Sequence, residues 1–205
     1  MAELPMFPLG TVLLPHMLLP LHVFEDRYRR MLRDVLDADG RFGVSLIRRG
    51  HEVGGGDVRT DLGTVARVLQ AQELDDGRWV LLAVGQERID VDAWLPDDPY
   101  PRARTRPRGE RHDADEVDAL HARLLPRLRV VLELQQRVGD EGVPPDTDLD
   151  AAADARCWQP AVLTPLSPLD RQRLLDEDDC AQRLRLVEQY LAEQEELLRF
   201  RLSDD

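Results

Sequence analysis

The chain has 205 residues, of which 42% are hydrophobic and 33% charged, and its formal net charge is -13. Disorder would need fewer apolar groups, and no apolar run approaches the roughly 18 residues of a membrane span, so both classes are excluded. All 27 basic residues are arginine, which leaves no lysine for a nucleotide-binding P-loop, a Schiff base or a Ser-Lys dyad.

Short apolar runs alternate with prolines over the first 24 residues. The runs are Leu4–Leu9, Val12–Leu14 and Met17–Phe24, and prolines lie in or beside each of them. Proline cannot donate to a central ladder, so these runs are predicted to be edge or entrance strands. The region has neither a basic leader segment nor a small-residue cleavage site, and we therefore expect a cytoplasmic protein.

The hydrophobic period then becomes helical from Glu25 to Asp37. Five apolar residues fall on one stripe of this predicted helix, and Gly40 lies just beyond its end. The stripe consists of Tyr28, Met31, Leu32, Val35 and Leu36.

Several short strands follow this helix. The first begins at Phe42 and ends at Arg48–Gly50, and the glycine run Gly54–Gly56 is predicted to be a flexible turn. Leu62–Leu74 and Arg78–Val84 flank an Asp-Gly turn, which predicts a hairpin. Beyond Gly85, two further strands are predicted, Glu87–Trp94 and Arg102–Arg108. Six or seven short strands with one early helix favour a compact, barrel-like sheet.

The second half of the chain is predicted to be helical. A long helix capped by Asp113 or Asp115 is followed by a loop and a short helix that Pro160 should end. Ser167 is predicted to cap the next helix, because a proline and an acid follow it. The last helix runs from about Asp178 to Leu202, with Asp179/Arg183 and Glu195/Arg199 as i,i+4 pairs.

Three motifs occur in order along the first half of the chain. They are Leu4-Pro5-Met6-Phe7-Pro8-Leu9-Gly10, Leu19-Pro20-Leu21-His22-Val23-Phe24-Glu25-Asp26-Arg27-Tyr28 and Leu62-Gly63-Thr64-Val65-Ala66-Arg67-Val68. This series resembles the N-terminal, substrate-binding domain family of Lon proteases. The resemblance implies an α+β fold, a PUA-like β pseudobarrel with one early helix followed by a C-terminal helical bundle. We therefore predict a Lon N-terminal-like β domain over residues 1–110 and a helical domain over residues 111–205.

The resemblance also implies a role in recognising polypeptide substrates. The 205 residues lack the ATPase and peptidase domains of Lon, so a stand-alone member is expected to keep only the recognition step, with no enzymatic activity and no cofactor. The expected partners are unfolded or extended polypeptides and a protease or chaperone that receives them, as for an adaptor in protein quality control. No membrane partner is expected. The alternative is an RNA-binding PUA-like protein, which the charge of -13 disfavours.

The proline-rich N-terminal segment contains the candidate peptide-binding residues. Strand edges with unpaired backbone groups can accept an extended peptide, and apolar side chains beside them can line a groove. The same residues can instead fill the barrel core, which is the favoured interpretation for each of them singly. The candidates are Phe7, Leu9, Leu13, Leu14, Met17 and Leu18.

Four arginines with strand period form a second candidate surface, which we call the basic ridge. Side chains two residues apart project from the same face of a strand, so all four share a face. The ridge is either a solvated edge strand or a docking surface for the acidic helices or an acidic partner, and the sequence leaves both interpretations open. Its members are Arg102, Arg104, Arg106 and Arg108.

The residues suited to catalysis or metal binding lack the usual spacings. Ser45, Ser167 and Ser203 lie in no GxSxG elbow, and the five histidines form neither HxxxH nor HExxH. Cys157 and Cys180 lie outside any CxxC motif. We therefore expect two buried thiols, without a disulfide, a metal site or a catalytic nucleophile.

Overall fold

A computed structural model of the chain describes residues 2–49, 58–140, 142–149 and 152–203. The predicted turn at Gly54–Gly56 lies outside these residues. None of the helices within them is both long enough and apolar enough to cross a membrane.

The chain divides into two compact units, residues 1–109 and residues 110–205. The first unit contains the sheet and one helix, and the second contains four helices, as far as the described residues extend. This is the mixed α+β architecture that the sequence predicts. That each unit folds as an independent domain stays a prediction.

The sheet of the first unit forms a barrel. Its strands are β1 (Ala2–Leu9), β2 (Leu18–Val23), β3 (Arg41–Arg49), β4 (Val58–Glu73), β5 (Trp79–Trp94) and β6 (Arg102–Pro107), with helix α1 (Asp26–Asp37) between β2 and β3 in the chain. The strand order is β2-β5-β4-β3-β1-β6, and β6 also pairs with β5. Five strands therefore close a ring, and β2 is added to it through β5.

Two strands change partners along their length. β1 pairs with β6 through residues 2–5 and with β3 through residues 6–9. β5 pairs with β2 through residues 79–84 and with β6 through residues 89–94. β6 therefore pairs with only one half of β1 and one half of β5. The other half of β1 pairs with β3, and the other half of β5 pairs with β2.

The predicted break at Gly85 is wrong, because β5 is continuous from Trp79 to Trp94. A Cβ atom at Gly85 would lie 2.2 Å from the Leu14 carbonyl oxygen. Glycine at this position therefore permits a close backbone approach inside a strand and does not end the strand.

Helix α1 packs the predicted apolar stripe against the barrel. Tyr28, Met31, Leu32 and Val35 are buried, which confirms four of the five stripe residues. Leu36 is exposed, because it follows Val35 and lies about 100° further round the helix.

The second unit consists of α2 (Ala114–Arg137), α3 (Ala153–Leu163), α4 (Pro168–Asp176) and α5 (Cys180–Ser203). Two predicted helix starts are confirmed. The Asp113 carboxylate accepts the Glu116 backbone N–H at 3.2 Å, and the Ser167 hydroxyl accepts the Asp170 backbone N–H at 3.2 Å. Each cap satisfies one of the donors that a helix start leaves unpaired.

The predicted end of the short helix at Pro160 is wrong, since α3 continues to Leu163. Proline removes one helical hydrogen bond, but Pro160 and Ala161 are both buried in this unit. The Pro160 carbonyl accepts two hydrogen bonds from Thr164, from the backbone N–H at 3.1 Å and from the hydroxyl at 2.7 Å. Packing offsets the missing donor, and the two bonds to the Pro160 carbonyl close the last turn of α3.

The expectation of two unpaired thiols is also wrong. A disulfide joins Cys157 of α3 to Cys180 of α5, across a sequence separation of 23 residues. The pairing depends on the packing of α3 against α5, which the spacing of the two cysteines along the chain does not encode. Both cysteines are fully buried.

Limited proteolysis with a non-specific protease should cut first within residues 97–113 or 140–150. Residues 97–99 are exposed and lie outside the helices and strands, so they can enter a protease cleft with little local unfolding. Mass spectrometry of the first fragments measures the cut sites. First cuts inside the β4–β5 hairpin, residues 62–84, would contradict this expectation.

Candidate peptide-binding site

Two strand segments of the barrel pair on one side only. β2 pairs with β5 alone, and residues 7–9 of β1 pair with β3 alone, among the strands that the structure describes. The edge of a strand presents a row of unpaired N–H and C=O groups. Backbone recognition of another chain is therefore available at these two segments.

A pocket of about 200 Å³ lies between the two segments and the start of α1. Apolar side chains from β1 and β2 line most of its wall, with one carboxylate at its rim. The lining residues are Phe7, Leu9, Pro20, Leu21, His22, Val23, Phe24, Glu25 and Tyr28.

The pairing of β2 with β5 determines which backbone groups of β2 face outward. The Gly85 N–H donates to the Met17 carbonyl at 2.9 Å, so the backbone of Met17 faces β5. Antiparallel ladders alternate, and the backbone groups of Leu18, Pro20 and His22 therefore face away from β5. Pro20 fits this position because a backbone N–H here would point away from β5, so its absence in proline costs no hydrogen bond of the ladder. The outer edge of β2 thus offers the N–H and C=O groups of Leu18 and His22 to a ligand.

Two large apolar side chains project at the ends of this edge. Leu18 is 55% exposed at the start of β2, and Phe24 is 56% exposed directly after its end. Exposed apolar groups beside a free strand edge supply side-chain contacts where the backbone supplies hydrogen bonds. The arrangement is suited to an extended, apolar peptide.

The six predicted peptide-binding residues divide into three groups. Leu13 and Leu14 are only 1% and 0% exposed, so they are core residues and cannot line an accessible groove. Phe7 and Leu9 are buried, yet they form the floor of the pocket. Met17 packs partly against the core, and Leu18 is the one candidate of the six that is exposed.

The burial of the Val12–Leu14 run has a specific cause. The Thr64 hydroxyl donates to the Leu13 carbonyl at 2.6 Å, and the Leu14 carbonyl lies against Gly85. These contacts hold the segment against β4 and β5, and Leu13 packs in the hydrophobic cluster that also contains the buried residues of α1.

Aromatic and charged groups border the pocket on the side of α1. The rings of Phe7 and Tyr28 stack with centroids 4.2 Å apart. The Arg27 guanidinium lies 4.5 Å from the Tyr28 ring centroid, and its Nε donates to the Glu25 carboxylate at 3.1 Å. The carboxylate at the rim, Glu25, is therefore paired with a guanidinium.

Sequence reasoning missed Leu21, His22, Phe24 and Tyr28 as pocket residues. Their positions depend on which edge of β2 faces β5, and this is a long-range property. The alternation of Pro20 and His22 with Leu19, Leu21 and Val23 could have indicated a two-faced edge strand, and Phe24 would then have stood out as an unburied aromatic residue.

The basic ridge has the predicted alternation. Ala103 and Thr105 are buried, whereas Arg104 and Arg106 are exposed on the other face of β6. Arg102, at the start of the strand, is partly buried.

Carboxylates of the neighbouring strand β5 neutralise part of this ridge. Arg106 lies 3.0 Å from Asp90 and 2.9 Å from Asp92, and Arg108 lies 2.9 Å from Asp90. Arg106 and Arg108 therefore already have carboxylate partners, and counterion release on binding a phosphate backbone would be correspondingly weaker.

Comparison with known proteins gives consistent matches. A family model described as the ATP-dependent protease La (LON) substrate-binding domain matches residues 3–193. Lon protease 2 of Herpetosiphon aurantiacus is 27% identical over 200 residues, which cover 96% of this chain and 24% of that protein. Lon protease of Roseiflexus castenholzii is 29% identical over 204 residues, covering 95% of this chain and 24% of that protein. The chain thus spans about a quarter of the length of these relatives.

Two solved structures resemble the chain over most of its length. A Lon N-terminal domain protein from Xanthomonas campestris has 32% identity and a TM-score of 0.66, covering 90% of this chain and 96% of that one. The N-terminal domain of a Mycobacterium avium complex Lon protease has 18% identity and a TM-score of 0.66, covering 94% and 99% respectively. The second likeness bears on the fold alone.

Proposed function

The chain belongs to the family of Lon protease substrate-binding domains, and from this premise we propose that it binds extended, apolar segments of other polypeptides. The proposed site is the outer edge of β2 together with the pocket beside it, which we call the β2 site. Its binding residues are Leu18, Leu21, His22 and Phe24, over a floor of Phe7 and Leu9.

The observation that carries this proposal is the coincidence of a free edge with exposed apolar side chains. Leu18 and Phe24, each more than half exposed, flank a strand that pairs on one side only among the strands that the structure describes. A client segment that adds to this edge would gain backbone hydrogen bonds and bury apolar surface, worth about 25 cal/mol per Å² removed from water. Neither contribution needs a defined client sequence, as recognition of unfolded segments requires.

We further propose that this binding serves an adaptor role in protein quality control, in which the bound client passes to a protease or chaperone. The family supports the first part of this proposal, because its members are described as substrate-binding domains. Affinity purification from the native organism, followed by mass spectrometry with wild-type and β2-site variants as baits, tests it. We expect the wild type and the β2-site variants to recover the same protease or chaperone. We expect only the wild type to recover clients as well.

RNA binding through the basic ridge is the weaker candidate. The chain carries a net charge of -13, and the carboxylates of β5 already pair with Arg106 and Arg108. Arg104 is the exposed ridge residue whose replacement tests this alternative most directly.

Replacing Phe24 with aspartate should weaken the binding of an unfolded client about tenfold or more, which corresponds to about 1.4 kcal/mol. The aspartate removes an exposed aromatic anchor and places a charge beside an apolar pocket. Fluorescence anisotropy of labelled, permanently unfolded casein at low and physiological salt measures the Kd. Because apolar burial is not screened, the Kd of the wild type should change little with salt.

Phe200→Asp is the matched control for this experiment. Phe200 is 64% exposed on α5, so the same substitution is made at a similarly exposed phenylalanine outside the β2 site, and its Kd should stay within about twofold of the wild type. Arg104→Glu should likewise keep most of the client binding. Equal losses in Phe24→Asp and Phe200→Asp, or a Kd that rises steeply with salt and depends on Arg104, would count against the β2 site.

A further inference from the structure

We propose that His112, Cys157 and Cys180 form a binding site for a thiophilic divalent cation, with Zn²⁺ as the expected ion, when the two cysteines are reduced. One donor atom from each residue lies within 4.8 Å of the other two. All three residues belong to the helical unit, residues 110–205, so this inference does not depend on the β2 site.

Backbone hydrogen bonds bring the three residues together from separate segments. The Arg111 N–H donates to the Asp178 carbonyl at 2.7 Å, and the Cys180 N–H donates to the Arg111 carbonyl at 3.0 Å. This bridge places His112 beside the first residue of α5, and α3 supplies Cys157. The donors are therefore positioned by the fold and need no mobile loop to assemble them.

One of the three donor distances already matches a tetrahedral zinc site. The His112 Nδ1 lies 3.3 Å from the Cys157 Sγ. With Zn–N near 2.0 Å, Zn–S near 2.3 Å and tetrahedral angles, a nitrogen and a sulfur ligand should be about 3.5 Å apart and two sulfurs about 3.8 Å apart. The nitrogen–sulfur pair already satisfies this requirement. The two sulfurs have to separate, and the His112 nitrogen, within 4.8 Å of the Cys180 sulfur, has to come closer to it. The cysteine Cα atoms, 5.5 Å apart, leave room for both changes by side-chain rotation.

The charge and burial of the site also suit this ion. Two thiolates compensate the charge of Zn²⁺, and a neutral imidazole adds none, so the loaded site can be buried without a net charge. Both cysteines are fully buried, whereas His112 is exposed. A water molecule can complete the coordination on the side of His112, and the histidine Nε2–H can donate to solvent.

The disulfide and the metal site are alternative states of one cysteine pair. In thiol–disulfide exchange with a small-molecule disulfide, the two protein thiolates give up two electrons, the Cys157–Cys180 bond forms, and two small-molecule thiolates are released. The oxidised sulfurs then carry no charge for a cation. Metal binding should therefore protect the two thiols from oxidation, and oxidation should prevent metal binding.

Titration of the full-length, reduced and metal-free chain with Co²⁺ tests this inference. We expect one Co²⁺ per chain, with thiolate-to-metal charge transfer in the near ultraviolet and the visible bands of a tetrahedral complex. Zn²⁺ should displace Co²⁺ stoichiometrically, and the thiols that react with a disulfide reagent should fall from two to none. Cys157→Ser and Cys180→Ser should abolish the charge-transfer bands, and His112→Ala should weaken Zn²⁺ binding about tenfold or more.

His121→Ala is the control, because His121 also lies in the helical unit but outside the three-residue cluster. Its Zn²⁺ affinity should equal that of the wild type, with circular dichroism confirming that every variant is folded. The inference is overturned if reduced, folded wild type gives no tetrahedral Co²⁺ spectrum, if His112→Ala binds Zn²⁺ as tightly as wild type, or if the disulfide resists a strong phosphine reductant.

Discussion

Replacing Arg183 with methionine should lower the free energy of unfolding of the helical unit by about 3–5 kcal/mol. The side chain is fully buried, its guanidinium lies 3.5 Å from the Trp158 ring centroid, and its Nε donates to the Leu174 carbonyl at 3.1 Å. It also donates to the Glu177 carbonyl and pairs with the Glu110 carboxylate. Methionine keeps much of the apolar contact but leaves two carbonyls and a carboxylate without their donor.

Arg185→Met is the matched control on the same helix. Arg185 pairs with Glu116 at the surface, where an ion pair contributes at most about 1 kcal/mol. Urea denaturation, followed by far-ultraviolet circular dichroism, measures both variants. Equal midpoints for the two variants would show that the buried guanidinium contributes no more than a surface one.

Arg183 also shows where sequence reasoning reached its limit. The i,i+4 spacing predicts that Arg183 pairs with Asp179, whereas the structure buries Arg183 and pairs it with Glu110. The same rule is correct for Glu195 and Arg199, whose side chains lie 2.6 Å apart. Spacing identifies which residues can meet along one helix, but the partner of a buried charge depends on which other segments pack there.

Features encoded by adjacent residues were predictable. The turn between β4 and β5 needs a residue with positive φ, and Gly77 supplies it with φ of 78°. The Leu74 N–H donates to the Arg78 carbonyl at 2.8 Å and closes the predicted hairpin. Helix caps at Asp113 and Ser167 were predictable for the same reason, since each requires only a short local pattern.

The candidate peptide-binding site was predictable only in part. Prolines in the first 24 residues indicate strand edges, which is correct for β2. The sequence does not indicate that Leu13 and Leu14 are buried while Leu18 and Phe24 remain exposed, because this depends on the contacts of residues 11–17 with β4 and β5. The Cys157–Cys180 disulfide was missed for the same physical reason, since helix packing brings its two halves together.

Gly85→Ala should destabilise the barrel by about 3 kcal/mol, at the upper end of the usual cost of overpacking. The added Cβ would lie 2.2 Å from the Leu14 carbonyl oxygen and 3.2 Å from the Leu13 Cγ. A backbone carbonyl cannot rotate away as a side chain can, so either β5 or the segment around Leu14 must move. The hydrogen bonds that join Gly85 to His16 and Met17, 2.8 and 2.9 Å long, would be strained by the same displacement.

The displacement should also reach the β2 site, because Met17 directly precedes β2 and sets its register against β5. Thermal and urea denaturation give the loss of stability, and anisotropy with unfolded casein, under conditions where the variant remains folded, gives the loss of affinity. Gly109→Ala is the control: a Cβ there has no atom within 4 Å, and stability should change by less than about 0.5 kcal/mol. If Gly85→Ala is folded and as stable as the wild type, the segment around Leu14 moves without a cost in stability and the expected clash is absent. If the variant is destabilised but binds the client as tightly as the wild type, client binding does not depend on the register of β2.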